Sequence, residues 1–307
     1  MGIFLDKNFY SHYCIFILFS CMFKTIILFR YLTSGGFSNM KKLLTVTIVL
    51  LTALCLFAQG AKENAEDLSL KKVTDKGEFI LGLDDSFPPM GYRDENGEIV
   101  GFDIDCAKEV CERLGVKLVC QPIDWAAKEQ ELATNNIDCI WNGFTITPER
   151  LENLTFSEPY VKNAQVCVVK KDSAVNTLAD LKGKVVGVQA GSSAQDAISD
   201  TEGFEASLKS VVEFKDNLTA LMDLEIGGVD AVVMDLLVAN DNINRSGKDF
   251  RIISESLVAE EYGIGFRKGD YALRDALQGA LNDMAQDGTL AEIAVKWFGA
   301  DITVVGK

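Results

Sequence analysis

Arg150 closes the segment IWNGFTITPER, residues 140–150, in a chain with 45 acidic and 30 basic residues. The preceding Thr147-Pro148-Glu149 predicts a helix start, with threonine as N-cap, proline at the first position and an acid in the first turn. Free N–H groups at such a start attract anions. Thr145 could add a hydroxyl, and the planar guanidinium of Arg150 suits a carboxylate. The segment therefore predicts a carboxylate site, with an ordinary surface arginine as the alternative.

Three further polar positions follow predicted strands. The segment AGSS, ending at Ser193, follows the strand KVVGVQ and opens a predicted helix, but it lacks the GxxxxGK[ST] pattern of a phosphate loop. Asp235 ends the apolar strand VDAVVMD and could face a cation, or instead cap the next helix. Asp84 and Asp85 end the strand EFILGL, where an exposed turn is the alternative. A guanidinium suits a carboxylate and an isolated aspartate suits an ammonium, and a free amino acid carries both groups on one carbon.

The elements around these residues predict how they are brought together. From Gly77 onward, short apolar strands alternate with amphipathic helices in two successive units, which indicates parallel, covered sheets. Asp105 is the predicted N-cap of a helix that ends at Gly115. Residues 160–173 and 257–270 are extended runs without helical periodicity, so we expect the chain to leave a first lobe and return to it. Ligands of open α/β sheets bind beyond the carboxyl ends of strands, which would face each other across a cleft.

Residues 1–60 are predicted to form a separate N-terminal extension that contains an export signal. From Met40, a basic start precedes an apolar run over residues 43–57 and then small residues. Residues 1–39 are a mis-assigned upstream extension or an extra anchor, and a membrane anchor of two short spans is the alternative. Cys55 offers lipid anchoring, although the residues before it lack the expected small side chain. The predicted location is periplasmic.

Composition excludes several classes of function. Residues 1–60 contain one acidic and five basic residues, so the rest has 44 and 25, a net charge near −19. This charge argues against binding to nucleic acid or anionic membranes. The single histidine, His12, lies in the extension, which leaves the body without a histidine base or metal ligand. We expect neither metal nor cofactor. The five body cysteines are predicted to be buried thiols, with one disulfide in the first half as the alternative; they are Cys106, Cys111, Cys120, Cys139 and Cys167.

The body of the chain, from about residue 76 to 300, resembles the polar amino-acid solute-binding proteins of ABC importers, the family 3 extracellular solute-binding proteins. The motifs that carry the resemblance are LGLDDSFPPMGY, GEIVGFDIDCAKEV, NNIDCIWNGFTITPER, FSEPY, LKGKVVGVQAGSS, GGVDAVVMD and DGTLAEIAVKWFG. The resemblance implies a two-lobed periplasmic-binding-protein-like fold of the α/β class, with a cleft between the lobes and two hinge crossovers. Lobe I would comprise residues 76–163 and 262–302, and lobe II residues 164–261.

The resemblance also implies roles for individual residues. Arg150 and Thr145 would bind the ligand α-carboxylate, with Ser193 approaching from the second lobe. Asp235 would bind the α-ammonium, helped by the carbonyl of Gly143. The ligand side chain would meet the aromatic residues Phe87 and Trp125 and the acid Asp84. The sequence departs from the pattern at Asn142-Gly143, where several relatives have two serines, and Gln189 occupies a variable pocket position.

The implied protein is a monomeric, non-enzymatic receptor that delivers a free L-amino acid to the permease of an ABC importer. The acid at Asp84 and the aromatic walls favour a cationic ligand, namely arginine, lysine or histidine. Glutamine and cystine are alternatives, because Asn142 and Gln189 could pair with amides. A dehydratase-like enzyme on the same fold is a remote alternative, and it would have only carboxylates as acid or base.

Overall fold

The computed structural model describes residues 66–307 of the chain. The predictions for residues 1–60, including the start at Met40 and lipid anchoring at Cys55, lie outside the described residues. Within residues 66–307, no helix has the length and apolar character needed to cross a membrane.

The first sheet has the strand order β5-β1-β6-β13-β7. Its parallel strands are β1 (Glu78–Leu83), β5 (Lys117–Pro122) and β6 (Cys139–Ile140), and the antiparallel pair β7 (Leu154–Phe156) and β13 (Gly265–Arg267) completes it. Its N-terminal helices are α1 (Ser69–Lys76), α2 (Phe102–Leu114), α3 (Lys128–Ala133) and α4 (Pro148–Asn153). A small sheet of β2 (Ser86–Phe87), β3 (Gly91–Arg93) and β4 (Ile99–Val100) follows β1. The predicted alternation of strands and helices is confirmed in this lobe.

The second sheet has the strand order β10-β9-β11-β8-β12. Its parallel strands are β9 (Val185–Gln189), β10 (Ser210–Phe214) and β11 (Ala231–Asp235), and β8 (Val161–Lys170) and β12 (Phe250–Tyr262) add an antiparallel pair. Its helices are α5 (Ser193–Asp200), α6 (Phe204–Ser207), α7 (Asn217–Ile226) and α8 (Leu236–Ser246). The polar residue that ends each of β9 and β11 is thus at the carboxyl end of a parallel strand.

The two crossovers are β8 and β12. β8 covers most of the predicted extended run 160–173, whereas β12 begins at Phe250, before the predicted run 257–270, and ends within it. β8 follows β7 of the first sheet, and β12 precedes β13, which returns the chain to that sheet. The chain then ends in α9 (Tyr271–Asp287) and α10 (Thr289–Phe298), which pack on α2. The two-lobed α/β fold with two crossovers is therefore confirmed, whereas the residue boundaries of the lobes stay a prediction.

The start of α2 differs from the prediction. The helix begins at Phe102, three residues before Asp105, so the assignment of Asp105 as N-cap is wrong. The chain turns at Gly101, whose φ is 149° and where a Cβ would lie 2.1 Å from the carbonyl oxygen of Met90. Only glycine fits this close approach. Asp105 instead accepts a hydrogen bond of 2.9 Å from Trp297 Nε1, which ties α2 to α10.

The body cysteines are free thiols, as predicted, and the disulfide alternative is wrong. Four are buried and the fifth, Cys120, is half-buried. Burial raises the pKa of the Cys111 thiol to about 12, so this group stays protonated at neutral pH. These side chains fill the hydrophobic core rather than carry chemistry.

Candidate functional site

Four parallel strands, two from each lobe, end at the same cleft. Asp84 follows β1 and Asn142 follows β6 in the first lobe, while Gln189 and Asp235 end β9 and β11 in the second. All four side chains are buried. Gln189 Nε2 donates to Asp84 Oδ2 at 2.7 Å, which joins the two lobes directly. The expectation that strand ends face each other is therefore confirmed.

Arg150 is the buried residue of the otherwise exposed helix α4, so the alternative of an ordinary surface arginine is wrong. Thr147 caps α4 as predicted, with Oγ1 accepting a hydrogen bond from Arg150 N at 3.2 Å. The Arg150 side chain is 7% exposed. Its Nη1 donates to the Thr145 carbonyl at 2.9 Å, and its guanidinium lies 4.5 Å from the centre of the Phe144 ring. Burial lowers the pKa of Arg150, and the nearest carboxylate oxygen that pairs with it, on Asp196, is 3.9 Å away.

Two hydroxyls from opposite lobes meet beside this guanidinium. Ser193 Oγ donates to Thr145 Oγ1 at 3.0 Å. Ser193 is free for this contact because the neighbouring Ser192 caps α5, with its Oγ accepting from Gln195 N at 3.3 Å. The structure thus brings together the three side chains that the resemblance assigns to a carboxylate, namely those of Thr145, Arg150 and Ser193.

Asp235 directs its carboxylate toward polar side chains of the crossover strands and does not cap α8. It occupies the N-cap position, but its side chain makes no capping hydrogen bond, so that alternative is wrong. Oδ1 accepts from Asn163 Nδ2 at 2.7 Å, Gln165 Nε2 at 3.0 Å and the Tyr262 hydroxyl at 2.7 Å. Burial, followed by the charge of Glu260, raises the pKa of Asp235 to about 7.

Asp84 is a buried acid on the first-lobe side of the cleft, and the exposed-turn alternative is wrong for this residue. Its carboxylate accepts from Gln189 Nε2 and from Ser86 N, the latter at 2.9 Å. Its own N–H donates to Asn142 Oδ1 at 3.1 Å, which fixes the two polar residues against each other. Burial raises the pKa of Asp84 to about 6.

Gly143 adopts a left-handed backbone conformation that favours glycine in this chain. Its φ is 57°, and a Cβ would lie 2.9 Å from the Phe87 ring and 3.2 Å from the Tyr262 ring. Its N–H donates to Asp103 Oδ2 at 2.7 Å. Phe87 is itself buried. A side chain at position 143 would therefore be strained by both the dihedral angle and the contact.

Trp125 lies on the same side of the cleft as Arg150. Its ring packs edge-on against Phe144 at 5.8 Å, and Phe144 in turn carries the Arg150 guanidinium. The neighbouring Lys128 donates to the Gly191 carbonyl of the other lobe at 2.8 Å. Burial, followed by the charge of Arg150, lowers the pKa of Lys128 to about 8. The aromatic pair of Trp125 and Phe144 therefore lies next to the hydrogen bond by which Lys128 connects the two lobes.

Around Asp235 the structure adds four residues that the sequence analysis missed, Tyr262 on β12 among them, and all four lie on the crossover strands. Asn163 and Gln165 on β8 and Glu260 on β12 surround the Asp235 carboxylate. Asn163 and Gln165 are two positions apart and so share one face of β8, on which the other residues, Val161, Cys167 and Val169, are apolar. Polar residues at every second position of an extended run are a sequence signal for a polar strand face, whereas the absence of helical periodicity in residues 160–173 predicts only a connection between the lobes.

An open cleft of about 590 Å³ reaches this cluster from the outside. Its lining includes Thr145, Ser193 and Glu260, together with residues of α4, α5 and β12. The other predicted site residues do not line this cleft. Arg150 lines a smaller pocket of about 180 Å³ together with Lys128 and Gly191. The buried polar residues at the strand ends are covered, and the hydrogen bond from Gln189 to Asp84 crosses between the lobes there, so we expect a ligand to reach them only when the lobes separate.

Comparison with known proteins places this geometry in a family. The sequence model of the bacterial extracellular solute-binding proteins, family 3, matches residues 79–300. An L-cystine-binding protein of Escherichia coli (strain K12) is 32% identical over 247 residues, which is 80% of this chain and 91% of the relative. The lysine/arginine/ornithine-binding periplasmic protein of the same strain is 33% identical over 234 residues, 74% of this chain and 88% of the relative.

Solved structures give the same result. The substrate-binding protein of an ABC uptake transporter from Streptococcus pneumoniae, with bound histidine, superimposes with a TM-score of 0.76 and 35% identity. The match covers 78% of this chain and 100% of that one. The family match spans both sheets and every strand end that forms the cleft. This chain belongs to the bacterial extracellular solute-binding proteins, family 3.

Proposed function

We propose that this protein captures a free cationic L-amino acid, arginine, lysine or histidine, and delivers it to the permease of an ABC importer. One observation carries the proposal: a buried guanidinium, two hydroxyls and a buried aspartate lie close to one another where the two lobes meet. Gln165 Nε2 connects the two groups, since it contacts Ser193 Oγ at 3.2 Å and Asp235 Oδ1 at 3.0 Å. Such an arrangement suits the carboxylate and ammonium of one α-carbon.

The α-carboxylate is assigned to Arg150, Thr145 and Ser193, and the α-ammonium to Asp235. All three donors that reach Asp235 act on Oδ1, so Oδ2 has no hydrogen bond from residues 66–307. An ammonium can donate to this oxygen. The carbonyl of Gly143 would take a second N–H of the same group. In this assignment the ligand replaces the direct contact between Ser193 and Thr145.

The ligand side chain is assigned to the pocket of Asp84, Phe87, Trp125, Asn142 and Gln189. A cationic end group would compensate the buried Asp84 carboxylate, which supports arginine, lysine or histidine. The relatives that bind lysine, arginine, ornithine or histidine agree with this choice. Cystine and glutamine remain the alternatives: cystine carries a second ammonium that would also suit Asp84, and a cystine-binding relative is known.

Capture requires the lobes to open and close about the crossovers β8 and β12. The contacts that close the cleft are short and polar, namely Gln189 to Asp84, Ser193 to Thr145 and Lys128 to Gly191. Closure around a ligand would then present one shape to the permease. We further propose an exported, periplasmic, monomeric protein, with lobe I at 76–163 and 262–302 and lobe II at 164–261.

We propose a receptor and not an enzyme. The described residues contain no histidine, so the acid–base groups of this cleft are carboxylates such as Asp84 and Asp235 and the amine of Lys128, whose pKa burial lowers to about 8. A dehydratase-like activity would have to use one of these. Incubation with prephenate-type and arogenate-type substrates, followed by chromatography of the products, tests this alternative; product formation that Asp235→Asn abolishes would replace the receptor assignment.

A thermal-shift screen over the common amino acids and cystine tests the receptor function. The protein is first unfolded and refolded to remove any carried ligand. A true ligand at about 100 times its Kd stabilises the fold by roughly 2.7 kcal/mol. We expect a cationic amino acid to give the largest shift. If no amino acid raises the melting temperature, the proposed function is refuted; if cystine or glutamine gives the largest shift, the receptor stands and the ligand class changes.

A further inference from the structure

Glu260 is a second carboxylate in the cleft, and the family resemblance assigns it no role. It lies on β12, two positions before Tyr262, whose hydroxyl binds Asp235. Its Oε2 accepts from Gln165 Nε2 at 2.8 Å, Thr145 Oγ1 at 3.1 Å and Asn163 Nδ2 at 3.3 Å, and Ser193 Oγ lies at 3.5 Å. The Glu260 carboxylate therefore stands between the hydroxyls of the site and Asp235.

Glu260 and Asp235 compete for the same hydrogen-bond donors. The side-chain amides of Gln165 and Asn163 each contact both carboxylates. An amide nitrogen carries two hydrogens, yet Gln165 Nε2 is within hydrogen-bond distance of three oxygens. The Oε1 atom of Gln165 is also buried and has no hydrogen-bond partner among residues 66–307. The cluster therefore contains more acceptors than donors.

Neither carboxylate has a directly paired counterion in the described part of the chain, and Arg150 reaches both only by longer-range attraction, in which their charges oppose the lowering of its pKa by burial. Within residues 66–307, no lysine or arginine forms an ion pair with Asp235 or Glu260. Each carboxylate uses one oxygen for the shared donors, which leaves Asp235 Oδ2 and Glu260 Oε1 without a hydrogen bond from these residues. Two adjacent carboxylates, of which Asp235 is buried and Glu260 is half-buried at the wall of the open cleft, favour a cation that donates to both.

We infer that Glu260 is a binding residue for the α-ammonium of the ligand, which it holds jointly with Asp235. The inference rests on the proposed function and deepens it. An ammonium has three N–H donors, which match Asp235 Oδ2, Glu260 Oε1 and the Gly143 carbonyl. A ligand with a neutral or missing α-amino group would leave the two anions unpaired. The crossover strand β12 thus contributes to ligand recognition as well as to the hinge.

The test compares L-arginine with 5-guanidinopentanoic acid, which is arginine without its α-amino group. Binding of both is measured by calorimetry to the wild type and to Glu260→Gln, which keeps a carbonyl acceptor for the four neighbouring donors. Glu260→Gln should bind L-arginine about tenfold or more weakly than the wild type does, because it loses a hydrogen bond between two charged groups. The affinity for 5-guanidinopentanoic acid should change by less than about threefold, because that ligand has no ammonium.

Glu261→Gln is the matched control, since it removes the same charge from the next residue, whose side chain is exposed. It should bind L-arginine like the wild type. Glu260→Asp keeps the charge but withdraws it by one methylene, and should give an intermediate affinity. The melting temperature of each ligand-free variant confirms that it is folded.

Three results would overturn the assignment. Unchanged L-arginine affinity in folded Glu260→Gln excludes contact with the ammonium. Equal losses for both ligands indicate a purely structural role. Tighter binding of L-arginine indicates that Glu260 competes with the ligand carboxylate for Thr145 and Ser193. If the wild type binds an amino acid other than arginine, that amino acid and its deaminated acid take the place of L-arginine and 5-guanidinopentanoic acid in the test. A wild type that binds no amino acid refutes the proposed function itself.

Discussion

Replacing Arg150 with methionine tests the part of the site that would be common to all amino acids. Methionine has a similar length and can stay packed on Phe144, but it removes the charge and every donor. The ligand carboxylate would then be held by the hydroxyls of Thr145 and Ser193 alone. Since Arg150 is 7% exposed, water cannot readily take its place as a partner.

The expected loss follows from the burial of the group. Removing one partner of a buried ion pair costs about 3–5 kcal/mol, which corresponds to roughly a 10²- to 10⁴-fold weaker Kd. The fold should be affected less, because Arg150 has only a 3.9 Å contact with Asp196 and one hydrogen bond to the Thr145 carbonyl. Arg150→Lys keeps the charge but loses the planar fork, and should weaken binding by about 10- to 100-fold.

Calorimetry with several amino acids measures this effect. We expect Arg150→Met to weaken all of them together, without changing their order of affinity. Arg113→Met is the control, because Arg113 pairs with Glu109 and Asp287 on the α2 surface, away from the cleft. If Arg150→Met is folded and binds its best ligand within threefold of the wild type, the carboxylate assignment is refuted.

Two further predictions concern the acid and the glycine of the cleft. The pKa of Asp84 is raised to about 6 by burial, so a cation at this carboxylate should bind less well as the pH falls from 8 to 5. Protonation of Asp235 should weaken the binding of all amino acids alike, so the ratio of arginine affinity to glutamine affinity reports on Asp84 alone. As the pH falls from 8 to 5, this ratio should fall in the wild type and stay constant in Asp84→Asn. A constant ratio in the wild type would contradict a contact between the ligand cation and Asp84. The stability of the ligand-free fold depends on pH in the opposite direction. Because the pKa of Asp84 in the folded protein exceeds its unfolded value of 3.8, the stabilising contribution of the neutral carboxyl is fully present below pH 4 and is lost as the pH rises through 6. Asp84→Asn should therefore raise the free energy of unfolding of the ligand-free protein at pH 8 by on the order of 1 kcal/mol, and by less at pH 4, in denaturant titrations. Gly143→Ala should destabilise the fold by about 2–4 kcal/mol, because it combines a φ of 57° with a Cβ 2.9 Å from the Phe87 ring. Gly97→Ala, with a φ of 83° and no atom within 4 Å, isolates the dihedral strain and should cost about 1–2 kcal/mol; equal losses in the two variants would exclude the steric contribution of Phe87.

Local sequence predicted the elements that depend on local chemistry. Thr147 and Pro148 specify the start of α4 through a side-chain cap and a fixed φ, and the structure has both. The extended runs appear as β8 and β12, because apolar and β-branched residues without helical spacing favour strands. The helix start at Asp105 was wrong for a nonlocal reason: the turn at Gly101 depends on the approach of the Met90 carbonyl.

The sequence by itself therefore determined the alternation of strands and helices, the helix cap at Thr147 and the polar residue at the strand ends of the site, and with the family motifs it predicted the cleft. Only the tertiary structure decided what those polar residues contact. Asp235 could cap α8 or face the cleft, and the choice depends on amides of β8 that lie 70 and 72 residues away in the chain. Glu260 had no local signal, since its donors are 67 to 115 residues away. Burial in the assembled cleft makes each of these polar contacts necessary, and burial exists only once the two lobes have packed together.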